Sequence, residues 1–304
     1  MKAAVFSKPG IKHFPPSLEK LLFCFDELLY RSDFADTTEK NYVKAIEKDV
    51  RTILEKNPNV LICVGGDGMA SYVASAVIKT GCSKPPVLLG WGAGTANVGP
   101  IVSISCSENL EDYRTFTFDA LRISDEDEVL GYAFNDLIVG SSFLGTVDGQ
   151  TVNLDARAMA VEGRAVVCNP GENILKDDYR LFFNGKELGQ LPFKVRQICA
   201  STVDGSSMYG RAVYGGLMQA CGMENAACVA FMDRIAVDSR PWTWSYKGMV
   251  NTGHLCFSKG DCVEICGLTK DGQIIIDGNP FIRKGNGIRI ECVPNAVSVL
   301  RSDL

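Results

Sequence analysis

The first hundred residues alternate two hydrophobic patterns, and that alternation leaves few folds open. Short continuous apolar runs, "KAAVFS", "NVLICV" and "PPVLLGWG", recur between stretches with helical spacing. Such runs, bounded by turn residues, are what strands buried on both faces require. Between them, "SLEKLLFCFDELLYRS" sets Leu18, Leu21, Leu22, Phe25, Leu28 and Leu29 on helical spacing. A second helix carries Tyr42, Val43, Ile46, Val50, Ile53 and Leu54 on one side. Asp36 and Glu39 form a capping-box pattern at its start. "MASYVASAVIKT" reads as a third helix, stopping at Gly81. Strands alternating with helices predict a parallel α/β sheet.

Near residue 120 the period shortens. "AFNDLIVG", "RAVVCN", "YRLFFNG", "FKVRQICA", "QIIIDG" and "GIRIEC" are strand-like runs separated by Gly, Asn and Asp. "FFNGKELG" carries an Asn-Gly hairpin signal, and "IIIDGNPFIRKG" reads as a second hairpin. The expected architecture is an α/β domain over residues 1–119, which the tail 296–304 could complete. A β-rich, sandwich-like domain follows over 120–295. The acidic "SDEDE" at 124–128 reads as a solvated turn.

Charge and hydropathy narrow the partners. Lys and Arg total 31 against 36 Asp and Glu, a net −5, so no broad cationic footprint for nucleic acid is expected. No apolar run approaches the ~20 residues of a membrane span. "MKAAVFSKPG" is broken too soon for a signal peptide. A soluble, cytoplasmic protein is expected. The 12 cysteines are scattered, mostly in apolar runs, and none of their spacings resembles a zinc site. They are expected to be buried free thiols in a reducing cytoplasm, with no metal site.

Two glycine loops end buried strands. "VGGDGMAS" places Gly65, Gly66, Asp67 and Gly68 between a strand and a helix, at the carboxyl end where α/β sheets bind ligands. Glycines admit phosphate to backbone N–H groups, and the helix N-terminus favours the anion. Asp67 then suits a proton acceptor for an attacking hydroxyl, or a contact to magnesium. An Asp-Gly turn without chemistry explains the same four residues. "LLGWGAGTANVGP" repeats the arrangement with Gly94, Thr95 and Asn97, either lining the same crevice or merely connecting elements. Asn135-Asp136 precede a β run and suit ribose hydroxyls or an adenine edge; a strand-start turn would also use them. Thr202, Asp204, Ser206, Ser207 and Tyr209 crowd a segment that runs into Gly215-Gly216. That segment suits sugar and phosphate oxygens, though a helix cap needs one or two of them. His13, His254, Trp242 and Trp244 are read as loop, strand or packing residues.

Taken in order, "GGDG" (65–68), "FND" (134–136), "STVDGSSMYGRAVYGG" (201–216) and "IIIDGNP" (274–280) resemble the NAD kinase family. "GAGTAN" is similar to a glycine segment of the diacylglycerol and sphingosine kinases, which share that fold. The resemblance implies phosphoryl transfer from ATP, or polyphosphate in some members, to the 2′-hydroxyl of the adenosine ribose of NAD, giving NADP. It implies an active site between the two domains and Mg2+ carried mainly by the ATP phosphates. Asp67 would be the general base or would orient the hydroxyl. Gly65, Gly66, Gly68, Gly94, Thr95 and Asn97 would line the phosphates. Asn135, Asp136, Thr202, Asp204, Ser206, Ser207 and Tyr209 would hold the acceptor. A homodimer or homotetramer is implied. The chain departs from the family at Met69, usually Thr, at Asp136, usually Glu, and at Asp204, usually Thr. Asp204 adds a carboxylate that would suit a polyol or cationic group. The same chemistry on a nucleoside, a polyol or, less readily, a lipid is therefore an alternative, as is a nucleotide sensor without catalysis.

Overall fold

The computed structural model describes residues 1–32, 39–93, 97, 99–103, 106–126, 128–171, 173–203, 226–239 and 251–302. They form two units, one of residues 1–119 with 295–304, the other of residues 120–294.

The first unit begins β1 (Lys2–Ser7), α1 (Pro16–Leu22), β2 (Glu27–Arg31), α2 (Glu39–Leu54), β3 (Val60–Gly65), α3 (Asp67–Lys79), β4 (Val87–Gly92) and β5 (Val102–Ser103). The chain leaves it along β6 (Arg114–Asp125). The second unit continues with β7 (Glu128–Ala133), β8 (Leu137–Gly140), β9 (Ser142–Val147), β10 (Gln150–Asp155) and the short α4 (Ala156–Glu162). Then come β11 (Leu175–Phe183), β12 (Lys186–Leu188), β13 (Gln197–Val203), β14 (Ala226–Met232) and β15 (Thr252–Ser258). β16 (Cys262–Leu268), β17 (Gln273–Ile276) and β18 (Asn279–Phe281) follow, and β19 (Gly287–Arg301) returns the chain to the first unit.

In the first unit β2, β1, β3 and β4 lie side by side, all parallel. The far edge of β4 is shared by β5 and by the end of β19, where Val299 pairs with Leu88. One sheet face packs Ala3, Val5, Val60, Ile62, Val64 and Leu89 against Leu18 and Leu21 of α1. Leu61 and Cys63, which alternate with these along β3, are equally buried, so the run is apolar throughout. α3 packs on both β3 and α2.

The expected first helix is cut short. α1 stops at Leu22, and Phe23, Cys24 and Phe25 close turns onto Lys20, Leu21 and Leu22. Asp26 N then donates to Met1 O, and Leu28 pairs with Ala3 as part of the parallel edge strand β2. Pairing along β1 thus overrides the helical spacing of Leu28 and Leu29. α2 does bury Tyr42, Ile46, Val50 and Ile53, while Asp36 lies outside the described residues.

The second unit is β-rich, as expected. A six-stranded antiparallel sheet runs β15-β14-β13-β8-β17-β18. Its inner residues, among them Val139, Ile198, Val229, Phe257 and Ile274, share a core with Leu121, Leu181, Val263, Ile265, Ile288 and Ile290 of the other strands. This is a sandwich. The β9–β10 hairpin and α4 cover the outer face through Phe143, Leu154 and Ala156 on Ile138, Cys199 and Ile275. The "NG" hairpin joins β11 to β12, with Phe183 opposite Lys186. The acidic turn needs a partial correction: Glu126 and Glu128 are exposed, but Asp125 is buried, and its carboxylate accepts the N–H groups of Lys284 and Gly285. The cysteines need another. Ten are free among the described residues, five of them buried, but Cys256 is disulfide-bonded, so the expectation of free thiols throughout fails.

Candidate active site

In the first unit the site is built where β3 ends. Gly66, extended at φ −102°, is the N-cap of α3, and Asp67 is the first helical residue. A carboxylate there is favoured by the helix dipole. Asp67 is half-buried, and its Oδ1 accepts the N–H of Gly99 at 2.9 Å. A Cβ at 99 would stand 2.9 Å from that oxygen and would push the carboxylate aside. The second glycine loop is therefore fastened to the first through the carboxylate itself. Asn97 comes close to the same strand ends, its Nδ2 3.2 Å from where a Gly92 Cβ would be. Gly94 and Thr95 lie outside the described residues.

One neighbour of this loop was not evident from the sequence. Lys8 N donates to Val64 O at 2.9 Å, extending β1 along β3 by one residue. Its Cβ would lie 3.5 Å from a Cβ on Gly65, so a half-buried lysine stem borders the loop. The only signal was a cation following an apolar run, at the carboxyl end of a strand. Met69, the departure from the family pattern, is buried and contacts Tyr42 Oη on α2. A second ring, Tyr72, meets Tyr42 edge-on.

In the second unit the "FND" and "IIIDGNP" segments meet. Asp277 and Gly278, at φ +46° and +78°, form the two-residue turn between β17 and β18. The Asp277 carboxylate, almost fully buried, accepts the N–H of Phe134 at 3.0 Å, of Asn135 at 2.8 Å and of Asp136 at 2.9 Å. Asp277 N returns a bond to Asp136 O at 2.9 Å. Ser201 Oγ donates to Asn135 O at 2.7 Å. The Asn135 backbone is thus held on both sides, while its side-chain Oδ1 is buried without a hydrogen-bond partner among the described residues. Such an acceptor is costly unless something donates to it. Asp136 is half-buried, and Thr202 is buried within β13. Asp204, Ser206, Ser207 and Tyr209, with Trp242 and Trp244, lie outside the described residues. His254 is an exposed residue of β15.

Residues 9–101, which carry the Asp67 loop, match the diacylglycerol kinase catalytic domain. A putative diacylglycerol kinase from Bacillus anthracis superposes with a TM-score of 0.58 at 12% identity, over 98% of this chain and 96% of that one. The chain shares the fold of that solved structure. A second solved structure of like fold, yeast NADH kinase complexed with NADH, gives a TM-score of 0.52 at 12% identity, over 99% of this chain and 82% of that one. An uncharacterized protein of Archaeoglobus fulgidus is 37% identical over 117 residues. That match spans 38% of this chain and 36% of the relative's own length. Among the described residues no helix is long and apolar enough to cross a membrane.

Proposed function

We propose that this protein is an ATP-dependent kinase of the NAD kinase and diacylglycerol kinase superfamily, acting on a hydroxyl group, with the 2′-hydroxyl of NAD as acceptor and NADP as product. The observation that carries this reading is Asp67, a carboxylate at the end of β3 whose Oδ1 is fixed by the Gly99 N–H. Phosphoryl transfer needs positioning and charge neutralisation more than covalent chemistry. Asp67 takes the proton as the acceptor oxygen forms its bond to the γ-phosphorus. The bond from that phosphorus to the bridging oxygen breaks, and ADP leaves. Gly65, Gly66 and Gly68 offer the phosphates close backbone approach at the start of α3. Mg2+, when bound, neutralises the phosphate oxygens. Among the described residues no three His, Cys, Asp or Glu side chains form a ready ligand set. The ion would be carried mainly by the nucleotide, with Asp67 as the one carboxylate of the loop able to join its shell. Asn135, whose buried amide oxygen has no donor among the described residues, is the acceptor-side residue the reading relies on first. Cytoplasmic location and a homodimer or homotetramer belong to the same proposal.

A second reading keeps the chemistry and changes the acceptor to a polyol, nucleoside or glyceride. It is favoured by the match of residues 9–101 to the diacylglycerol kinase domain. ADP release from Mg-ATP, measured across NAD, NADH, nucleosides, inositols, sugars and diacylglycerol, separates the two. NADP formation that falls about 100-fold or more in Asp67→Asn is the expected result. Phosphorylation of another compound, with NAD untouched, would establish the second reading. ADP release as fast in the variant as in the native protein would remove Asp67 from the chemistry.

A further inference from the structure

The end of β19 carries an arginine where its pattern calls for an apolar residue. Val297, Val299 and Arg301 share one side of the strand, and all three are buried. Arg301 is 2% exposed and is the bulkiest fully buried side chain described. Burying a guanidinium costs several kcal/mol unless hydrogen bonds repay it, so volume alone would be filled by Leu or Met. Its Nη1 donates to Pro100 O at 2.6 Å and lies 3.5 Å from Gly99 O. These are the carbonyls of the turn whose N–H holds Asp67. The turn is therefore gripped from two sides, by Asp67 on the Gly99 amide and by Arg301 on the carbonyls. Pro100 stiffens it further, because its ring fixes φ.

We propose that Arg301 is a positioning residue for Asp67, acting through the Gly99–Pro100 turn. This rests on the kinase reading for its consequence in catalysis, but not for the clamp itself. With the carbonyls released, the turn gains freedom and the Gly99 amide no longer stays on Oδ1. The carboxylate then samples orientations unsuited to receiving the acceptor proton, while binding of the ATP phosphates at Gly65–Gly68 is little affected. A defect in kcat with KM for ATP nearly unchanged is the signature of such a role.

The test uses the full chain with Arg301→Met and Arg301→Lys. Amide hydrogen exchange of the peptide containing Gly99 reads the clamp without any turnover. Exchange there should quicken about 10-fold or more in Arg301→Met and in Asp67→Ala, and should stay within about threefold of native in Arg301→Lys, which keeps a donor. ADP release in Arg301→Met should fall about 10- to 100-fold in kcat, with KM for ATP within about threefold, and Arg301→Lys should recover most of it. Adding Arg301→Met to Asp67→Asn should cost no more than Asp67→Asn alone, because both act at one group. Native-like protection of Gly99 in Arg301→Met overturns the proposal. So does an equal fractional loss of rate in the native and Asp67→Asn backgrounds. If Arg301→Met does not fold, Arg301→Gln removes the charge with a smaller change in polarity, and the same readouts apply. A native protein that releases no ADP with any acceptor refutes the kinase reading, and Gly99 exchange still decides the clamp.

Discussion

Met69 and Lys8 show how single side chains around one loop divide their tasks. Met69 follows the Gly-Gly-Asp-Gly run, yet it is buried against Tyr42, so its exchange for the usual Thr is a matter of helix packing. Lys8 borders the same loop from β1 and can bring a cation to phosphate. Lys8→Met should weaken ATP and ADP binding about 10-fold and leave adenosine binding unchanged, by calorimetry, since a charge-assisted phosphate contact is lost. Lys8→Arg should bind as the native chain does. Equal losses for adenosine and ADP would mean that the loop has been deformed instead. The position of Asp67 was legible in the sequence, because glycines after a continuous apolar run mark the end of a buried strand. Gly99 N–H as its partner was not, since 32 residues separate them and only the adjacency of β3 and β4 brings them together.

Among the elements, the β17–β18 hairpin carries more than its turn. Its Asp-Gly pair announced a hairpin, but not that the Asp277 carboxylate would accept three N–H groups more than 140 residues earlier. Asn offers one carbonyl oxygen in place of two carboxylate oxygens, so Asp277→Asn must leave at least one buried donor unsatisfied. The expected cost is about 2 kcal/mol, read as a lower thermal midpoint, together with faster exchange of the 134–136 amides. An unchanged midpoint and unchanged exchange would contradict that account. β3 and β4 were readable because both faces of each are buried, which forces continuous apolar runs. α1 and β2 were not separable, since Leu18 to Leu29 fit helical spacing throughout. What ends the helix is the pairing of Leu28 with Ala3, a contact between segments rather than a property of either.

Across the whole molecule the free thiols form a graded set. Cys24 is exposed, while Cys63 and Cys228 are buried, and burial pushes their thiols up to about 12 and about 11 from an ordinary 9.0. At pH 8 iodoacetamide should label Cys24 in the native protein and spare Cys63 and Cys228 until the chain unfolds. Native labelling of Cys63 at the rate of Cys24 would refute its burial. The same shifts fix a sign for stability. Above pH 9 the unfolded chain gives up these protons while the folded one keeps them. Stability therefore falls as pH rises from about 9 toward 12, by up to about 1.4 kcal/mol per pH unit for each such thiol. Urea midpoints at pH 8, 9 and 10.5 would show it; a flat series would refute it.

The return of β19 also sets an order of assembly. Residues 2–7 and 60–65 leave the ribosome early, but Val299, their sheet's last parallel partner, emerges only after every strand of the second unit has been made. Synthesis at roughly 5–20 residues per second leaves the edge of β4 waiting many seconds for Val299, with β5 as its early cover among the described residues. An uncovered parallel edge is a template for other chains. During that interval the nascent chain, though its first half is already made, is at its greatest risk of joining its neighbours on the polysome.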